Sequence, residues 1–232
     1  MQITLIGTGN LGTNLYETLR RAGHDVAQLP GRSFATSDVK GELVIIAVKD
    51  DALPDVANRL KDCDMLVVHT AGSIPMEVIP CRRRGVFYPM QTFSKNQLVD
   101  FTNIPIFLET EQAGDMKVLE SLASTLSHNI YHLDGEGRRR LHLAAVFACN
   151  FANHCYALGA EVLKGINIPF DVMLPLIDET ASKVHNLSPR EAQTGPAVRM
   201  DRNVISRQEA MLDGRTKDIY HLMSESIHDL KI

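Results

Sequence analysis

The first fifteen residues, MQITLIGTGNLGTNL, constrain the fold of this chain more than any other stretch. Gln2 to Ile6 is a short apolar run, which is typical of a buried parallel strand. A helical pattern with leucines four residues apart begins at Leu11. Between the two lies a G-x-G-x-x-G motif, spelled by Gly7, Thr8, Gly9, Asn10, Leu11 and Gly12. Strand, glycine turn and helix in this order predict a turn that binds the phosphates of a dinucleotide.

Each glycine of the motif has a separate physical role. Gly7 permits the tight turn, Gly9 lacks the side chain that would block a pyrophosphate, and Gly12 lets the helix pack close to the strand. The N-terminus of the helix then offers backbone N–H groups to the anion. All six residues from Gly7 to Gly12 are therefore candidate cofactor ligands. A glycine turn without ligand and an S-adenosylmethionine methyltransferase are the alternatives.

The end of the second predicted strand indicates which nucleotide is bound. This strand covers Asp25 to Leu29, and no carboxylate follows it where an NAD-type site holds the ribose 2′-hydroxyl. Arg32 and Ser33 stand there instead, and a guanidinium beside a hydroxyl suits a 2′-phosphate. The sequence therefore predicts NADP as the cofactor, with an ordinary surface arginine as the alternative. The missing acid also counts against a methyltransferase.

Strands and helices alternate through the first half of the chain, which predicts an α/β fold with a Rossmann-type, doubly wound, mostly parallel sheet. Ligands of such sheets bind at the carboxyl ends of the strands. The residues at these ends are predicted to contact the cofactor at Ala47, Val48 and Thr70, and the substrate at Tyr88 and Gln91.

From Gly135 onward the pattern is helical, which predicts a nucleotide-binding domain at 1–134 and an all-α C-terminal domain at 135–232 for substrate binding and dimerisation. The segment Leu141 to Leu163 is nearly apolar and long enough to raise the question of a membrane span. Its histidines, asparagines and glutamate argue against one. A central helix buried by its own domain and by a second copy fits better, so we expect a homodimer and no membrane.

Composition excludes several other classes. A net charge of −4 gives no electrostatic case for nucleic acid, and no N-terminal signal segment is recognised. The four cysteines lack C-x-x-C spacing, so reduced, mostly buried thiols in a cytoplasmic protein are expected. No cluster of side chains has metal-ligand spacing, and no metal is predicted. The run from Arg138 to Arg140 is interpreted as a solvated helix start rather than a binding patch.

Seven segments together resemble a family of proteins assigned as NADP-dependent oxidoreductases, with a Rossmann domain and a helical C-terminal domain of unknown function. They are IGTGNLG, GRS, IIAVKDDALPDVA, VVHTAGS, PMQTFS, HLAAVFACNF and TGPAVRMD. The wider group includes pyrroline-5-carboxylate reductase, ketopantoate reductase and deazaflavin-dependent NADP reductases. The resemblance implies a reductase-like fold over essentially the whole chain. One position departs from the family pattern, because Tyr88 stands where a histidine often precedes the proline of PMQTF. An acid–base role for that position is therefore in question.

Hydride transfer requires a proton donor or acceptor and groups that hold the substrate. His142 and Asn150 are eight residues apart on one predicted helix face, and the resemblance implies polar catalytic groups on this helix. They are the candidate catalytic pair, with polar groups of the core or interface as the alternative. Arg199 could clamp a carboxylate or phosphate, and His69 could face the nicotinamide.

The predicted function is an NADP-dependent reductase or dehydrogenase that acts on a C–O or C–N bond of a small, anionic substrate. A nucleotide-binding sensor or scaffold without turnover is the alternative.

Overall fold

A computed structural model describes residues 1–230 of the chain. Their contacts divide into two compact units, unit 1 from Met1 to Asn150 and unit 2 beginning at Phe151. The division falls inside the helical region, later than the boundary between 134 and 135 that the sequence predicts. The first helix after the sheet thus belongs to unit 1, while the functional domain limits remain a prediction.

Unit 1 contains a seven-stranded sheet with the order β2-β1-β3-β4-β5-β6-β7. The strands are β1 (Gln2–Ile6), β2 (Asp25–Leu29), β3 (Leu43–Ile46), β4 (Leu66–His69), β5 (Arg84–Pro89), β6 (Ile106–Thr110) and β7 (Ile130–His132). All neighbouring strands run parallel except β5 and β6, which pair antiparallel. This topology confirms the predicted fold class of a mostly parallel, doubly wound sheet.

The helices of unit 1 are α1 (Asn10–Arg21), α2 (Leu53–Asn58), α3 (Ala113–Ser124) and α4 (Gly135–Ala145). β3 and β4 are apolar throughout, except for His69, and buried along their whole length, as expected for strands covered on both faces. One apolar cluster contains the α1 leucines Leu15 and Leu19, and the other contains Val56 and Leu60 of the α2 region. A third, smaller cluster contains Met76, Val86 and Tyr88.

The strand order reverses at β1, because β2 lies on one side of β1 and β3 lies on the other. Such a switch point leaves a crevice at the carboxyl ends of the two strands. The glycine turn follows β1 and Ala47 follows β3, so both lie at this crevice. The fold thus places the predicted nucleotide turn where doubly wound sheets bind their ligands.

A π-helical segment, Val146–Phe151, follows α4. The sequence predicts an uninterrupted helix here, and hydrogen-bond geometry of the π type is rare outside short functional segments. Unit 2 then contains α5 (Ala152–Lys164), α6 (Leu174–Lys183), α7 (Pro189–Ala192), α8 (Arg202–Glu209) and α9 (Gly214–Asp229). α7 begins at a capping box that Ser188 and Glu191 form.

The residues of α5 are half-exposed or exposed in the single chain, so one copy alone does not bury this helix as the sequence predicts.

The expectation of mostly buried cysteines is wrong. Cys81 is buried and Cys63 is half-buried, whereas Cys149 and Cys155 are exposed. Among residues 1–230, no helix combines the length and the apolar character needed to cross a membrane.

Candidate functional site

The glycine turn brings three backbone segments into close contact. Gly7 has a φ of +136°, and a Cβ there would lie 2.1 Å from the Ala47 carbonyl oxygen. A Cβ on Gly12 would lie 2.5 Å from the Gly7 carbonyl oxygen. By contrast, nothing lies within 4 Å of a Cβ built on Gly9. Gly7 and Gly12 are therefore required by packing, whereas the space at Gly9 is open, as a site for a pyrophosphate requires.

The N-terminus of α1 suits an anion. No side chain caps this helix, and its first turn contains no acidic residue. Thr8, Gly9 and Asn10 are exposed, so the turn is accessible. The positive end of the helix dipole and the first backbone N–H groups thus remain available to phosphate oxygens.

A side chain that the sequence reasoning missed holds this turn in place. Gln28, on β2, donates from its Nε2 to the carbonyl oxygens of Gly7 at 2.9 Å and Gly12 at 3.2 Å. A glutamine in an alternating strand gives no local signal of such a role. Asn14, on α1, connects this helix to a later loop, because it donates to the Ser94 carbonyl and accepts from the Val99 N–H.

Arg32 and Ser33 lie in the exposed loop after β2, where the sequence predicts contact with a 2′-phosphate. Phe34 anchors this loop, since its side chain is buried and the Arg59 guanidinium lies 3.7 Å from its ring centroid. The loop also approaches the end of β3, because a Cβ on Gly31 would lie 2.7 Å from Val48 Cγ1. The predicted cofactor residues after β1, β2 and β3 are thus neighbours. Thr70 is buried after β4 and bonds the Ile46 carbonyl through its hydroxyl.

A cavity of about 510 Å³ opens beside the carboxyl end of β5. Four residues predicted from the sequence line it: Tyr88, Gln91, His142 and Asn150. The remaining lining residues are Met90, Thr92, Leu141, Ala144, Ala145, Ala148 and Cys149. The volume and the mostly apolar lining are typical of small-molecule sites. Arg199, the other predicted substrate residue, is exposed in unit 2, and its role stays a prediction.

Two of the predicted side chains meet in the wall of this cavity. The Tyr88 hydroxyl lies 3.2 Å from His142 Nδ1, within hydrogen-bond distance. Gly72 makes this contact possible, because a Cβ there would lie 2.7 Å from His142 Nδ1 and 2.9 Å from Tyr88 Cζ. Burial raises the pKa of the Tyr88 phenol, so the hydroxyl keeps its proton at neutral pH. The pair can therefore donate a proton to a molecule in the cavity.

A buried charge network holds the elements that carry this pair. The Arg138 side chain is 1% exposed and pairs with Glu109 on β6. Arg138 also donates to the Ile74 carbonyl at 2.7 Å, and Glu109 accepts from the Gly135 N–H at the start of α4. The network thus ties the loop of Gly72 and the helix of His142 to one strand. The expectation that Arg138 belongs to a solvated helix start is wrong, although its neighbour Arg140 is exposed.

His69 lies in the same row of the sheet as Glu109, since both are in register with Val86. Its side chain is fully buried, and the Ala71 N–H donates to its Nδ1 at 3.1 Å. Burial, with the added repulsion of the Arg138 charge, lowers the pKa of His69 to about 4. His69 is therefore a neutral group that holds the loop after β4, and the expectation that it faces a ligand is not supported.

In the part of the chain that the structure describes, no three His, Cys, Asp or Glu side chains cluster as metal ligands do. This finding does not test whether the protein binds a metal, so the expectation of no metal stays a prediction.

Comparisons with known proteins agree with this geometry. Residues 104–227 match the family model described as a domain of unknown function, DUF2520. A protein from Bacteroides fragilis, provisionally named an NADP oxidoreductase, is 47% identical, with 98% of each chain covered and a TM-score of 0.91. The chain belongs to the family that carries this domain. The nucleotide named for that relative, NADP, is the one that the sequence predicts.

More distant structures share the fold. A protein from Thermotoga maritima is 21% identical over 99% of this chain and 98% of its own, with a TM-score of 0.74. An imine reductase from Myxococcus stipitatus in complex with NADP⁺ is 11% identical over 100% of this chain and 93% of its own, with a TM-score of 0.69. A comparison with curated proteins found no match. The resemblance to NADP oxidoreductases is thus confirmed, and the wider group of reductases named above stays an expectation.

The different packing at two glycines predicts different effects of substitution. Gly9→Val should abolish NADPH binding in a calorimetric titration, at a cost in stability of no more than about 1 kcal/mol for the changed helix cap. Gly12→Ala should instead destabilise the fold by about 1–3 kcal/mol, because the added methyl group overlaps the Gly7 carbonyl. Unchanged NADPH affinity in folded Gly9→Val would refute the site.

The buried neutral His69 predicts a pH dependence of stability. Unfolded chains take up a proton on this residue near pH 6.5, whereas the folded protein does so only near pH 4. The free energy of unfolding should therefore fall by about 3 kcal/mol as the pH falls from 6.5 to 4. Urea denaturation across this range should show a smaller decrease for His69→Gln. His128→Gln, at an exposed histidine, is the control, and an equal decrease in both variants would contradict the assignment.

Proposed function

We propose that this protein is an NADP-dependent oxidoreductase that reduces a C–O or C–N double bond, or catalyses the reverse reaction. The hydrogen-bonded pair of Tyr88 and His142 carries the proposal, because it lies at the carboxyl edge of a sheet whose glycine turn fits a dinucleotide. The 47% identity to a protein provisionally named an NADP oxidoreductase supports the same activity.

The residues from Gly7 to Gly12 would hold the pyrophosphate, and Arg32 and Ser33 would hold the 2′-phosphate. The end of β3, at Ala47 and Val48, would form the opposite wall of the nucleotide site, with Thr70 beside it. When bound, the cofactor supplies or accepts a hydride. The remaining chemistry, which is proton transfer and orientation of the substrate, falls to the side chains of the cavity.

Tyr88 is the proposed proton donor. When His142 carries its hydrogen on Nδ1, it donates to the Tyr88 oxygen, and the phenolic hydrogen is free to point at a substrate oxygen or nitrogen. As Tyr88 gives up this proton, the hydrogen bond from His142 Nδ1 stabilises the phenolate, and a proton from solvent restores the phenol after the product leaves. Asn150 and Gln91 would orient the substrate through their amide groups, while the apolar lining excludes water.

The proposed enzyme is a homodimer in the cytoplasm. Large apolar side chains of unit 2 are exposed in the single chain, among them Val162, Met211 and Leu222. Exposed apolar surface of this extent is typical of an interface. A second copy is the proposed cover, as the sequence predicts from the apolar segment.

A nucleotide-binding sensor or scaffold is the second candidate function, because the resemblance to related reductases implies that a catalytic lysine is often present on this helix, and Leu141 to Leu163 contains none. Both candidates should bind NADPH, so binding does not distinguish them. Only the oxidoreductase should turn over a substrate. A panel of small carbonyl and imine compounds should include at least one that causes oxidation of NADPH. NADPH binding without turnover across the panel would favour the sensor.

The 2′-phosphate site predicts a nucleotide preference. Arg32→Ala should weaken NADPH binding by about 1.5–3 kcal/mol, the range for a hydrogen bond to a charged group, and leave NADH affinity unchanged. Calorimetric titration with both nucleotides measures the difference. Arg21→Ala removes an exposed arginine at the other end of α1 and should affect neither nucleotide. Equal affinities of the parent protein for NADPH and NADH would refute the assignment.

The proton-donor role predicts the effect of removing one hydroxyl. Tyr88→Phe should lower kcat about 10²–10⁴-fold on any substrate that the panel identifies, with NADPH affinity unchanged. Tyr131→Phe removes an exposed hydroxyl on β7 and serves as the matched control. A Tyr88→Phe variant with the parent kcat would exclude Tyr88 as the donor.

A further inference from the structure

The cavity beside Tyr88 is uncharged by composition. In the described part of the chain, its eleven lining residues include no aspartate, glutamate, lysine or arginine. Six of them present only apolar or weakly polar surface: Met90, Leu141, Ala144, Ala145, Ala148 and Cys149. The hydrogen-bonding groups are the side chains of Tyr88, Gln91, Thr92, His142 and Asn150.

The charged groups that act on Tyr88 lie outside the cavity lining. Arg138 is 1% exposed and forms an ion pair with Glu109. Its charge lowers the pKa of the phenol, whereas Asp50, whose carboxylate accepts from the Ser73 hydroxyl, raises it, so the two charges oppose each other. A carboxylate placed beside Tyr88 would thus lose its hydration without reaching a cationic side chain in the cavity wall.

We propose that this cavity binds an uncharged carbonyl compound with an apolar body and discriminates against carboxylates. The carbonyl oxygen would accept a hydrogen bond from Tyr88, and the apolar body would pack against Met90, Leu141 and the alanines of the helical wall. This inference rests on the proposed oxidoreductase function and names its substrate class. It replaces the anionic substrate expected from the sequence, for which Arg199 was the reason.

The test uses two probes that share a ketone and differ by one carboxylate, acetophenone and 4-acetylbenzoate. Ligand-observed NMR titrations give both dissociation constants, with and without saturating NADP⁺, at pH 8, above the range in which histidines usually titrate. The expected result is at least tenfold tighter binding of acetophenone.

A charge placed in the cavity wall provides the matched comparison. Ala148 is exposed in the cavity, so a longer side chain can be accommodated there. Ala148→Lys should increase the affinity for 4-acetylbenzoate at least tenfold, whereas Ala148→Met, of similar length and without charge, should not. Circular dichroism establishes that both variants are folded.

Equal or tighter binding of 4-acetylbenzoate by the parent protein, or binding of neither probe, would overturn the inference. The same samples are titrated with NADPH. A protein that binds NADPH and prefers the carboxylate refutes the substrate class alone. A protein that binds acetophenone preferentially but not NADPH refutes the oxidoreductase function alone.

Discussion

The ion pair between Arg138 and Glu109 is the interaction on which the geometry of the candidate site depends. The Arg138 guanidinium is buried and the Glu109 carboxylate is partly buried, and withdrawing a charge from water costs several kcal/mol per ion unless the charge finds a partner and further hydrogen bonds. The Ile74 carbonyl and the Gly135 N–H supply those bonds. Because these partners lie on different segments, satisfying the buried charges fixes a loop, a helix and a strand relative to one another.

The two halves of the carboxyl edge present different chemistry to a ligand. On the nucleotide side, glycines admit the backbone of a polyanion, and an exposed arginine stands at the end of β2. On the cavity side, the described lining residues include no charged side chain, and the wall presents hydrogen-bonding groups among apolar ones. In the proposed enzyme, one region would supply the binding energy for the anionic cofactor, and the other would control proton transfer.

The sequence predicts those parts of the molecule that depend on local patterns. The strand, turn and helix around Gly7 to Gly12 follow from glycine spacing and apolar periodicity, and the alternation that follows predicts the sheet. The sequence also predicts four residues of the site, because the end of an apolar strand and the spacing of polar residues along a helix are both visible in it. They are Tyr88, Gln91, His142 and Asn150.

Long-range partners could not be predicted in the same way. A run of three arginines does not reveal that Arg138 turns inward, because its partner Glu109 is 29 residues away, on the strand β6. Gly72 has no motif of its own, and its importance arises only where Tyr88 and His142 converge. The π-helical segment also carries no propensity signal in a nearly apolar stretch.

The π-helical segment determines where Asn150 faces. A π-helix holds more residues in each turn than the 3.6 of an α-helix, so each residue advances the chain by a smaller angle. Over the eight residues from His142 to Asn150, an unbroken α-helix would overshoot two full turns by about 80°. The π segment removes part of this excess, and both side chains line the same cavity. The loss of one residue between them would therefore redirect Asn150 while leaving both side chains chemically intact. The count of residues in this segment is thus as much a part of the site as their identity.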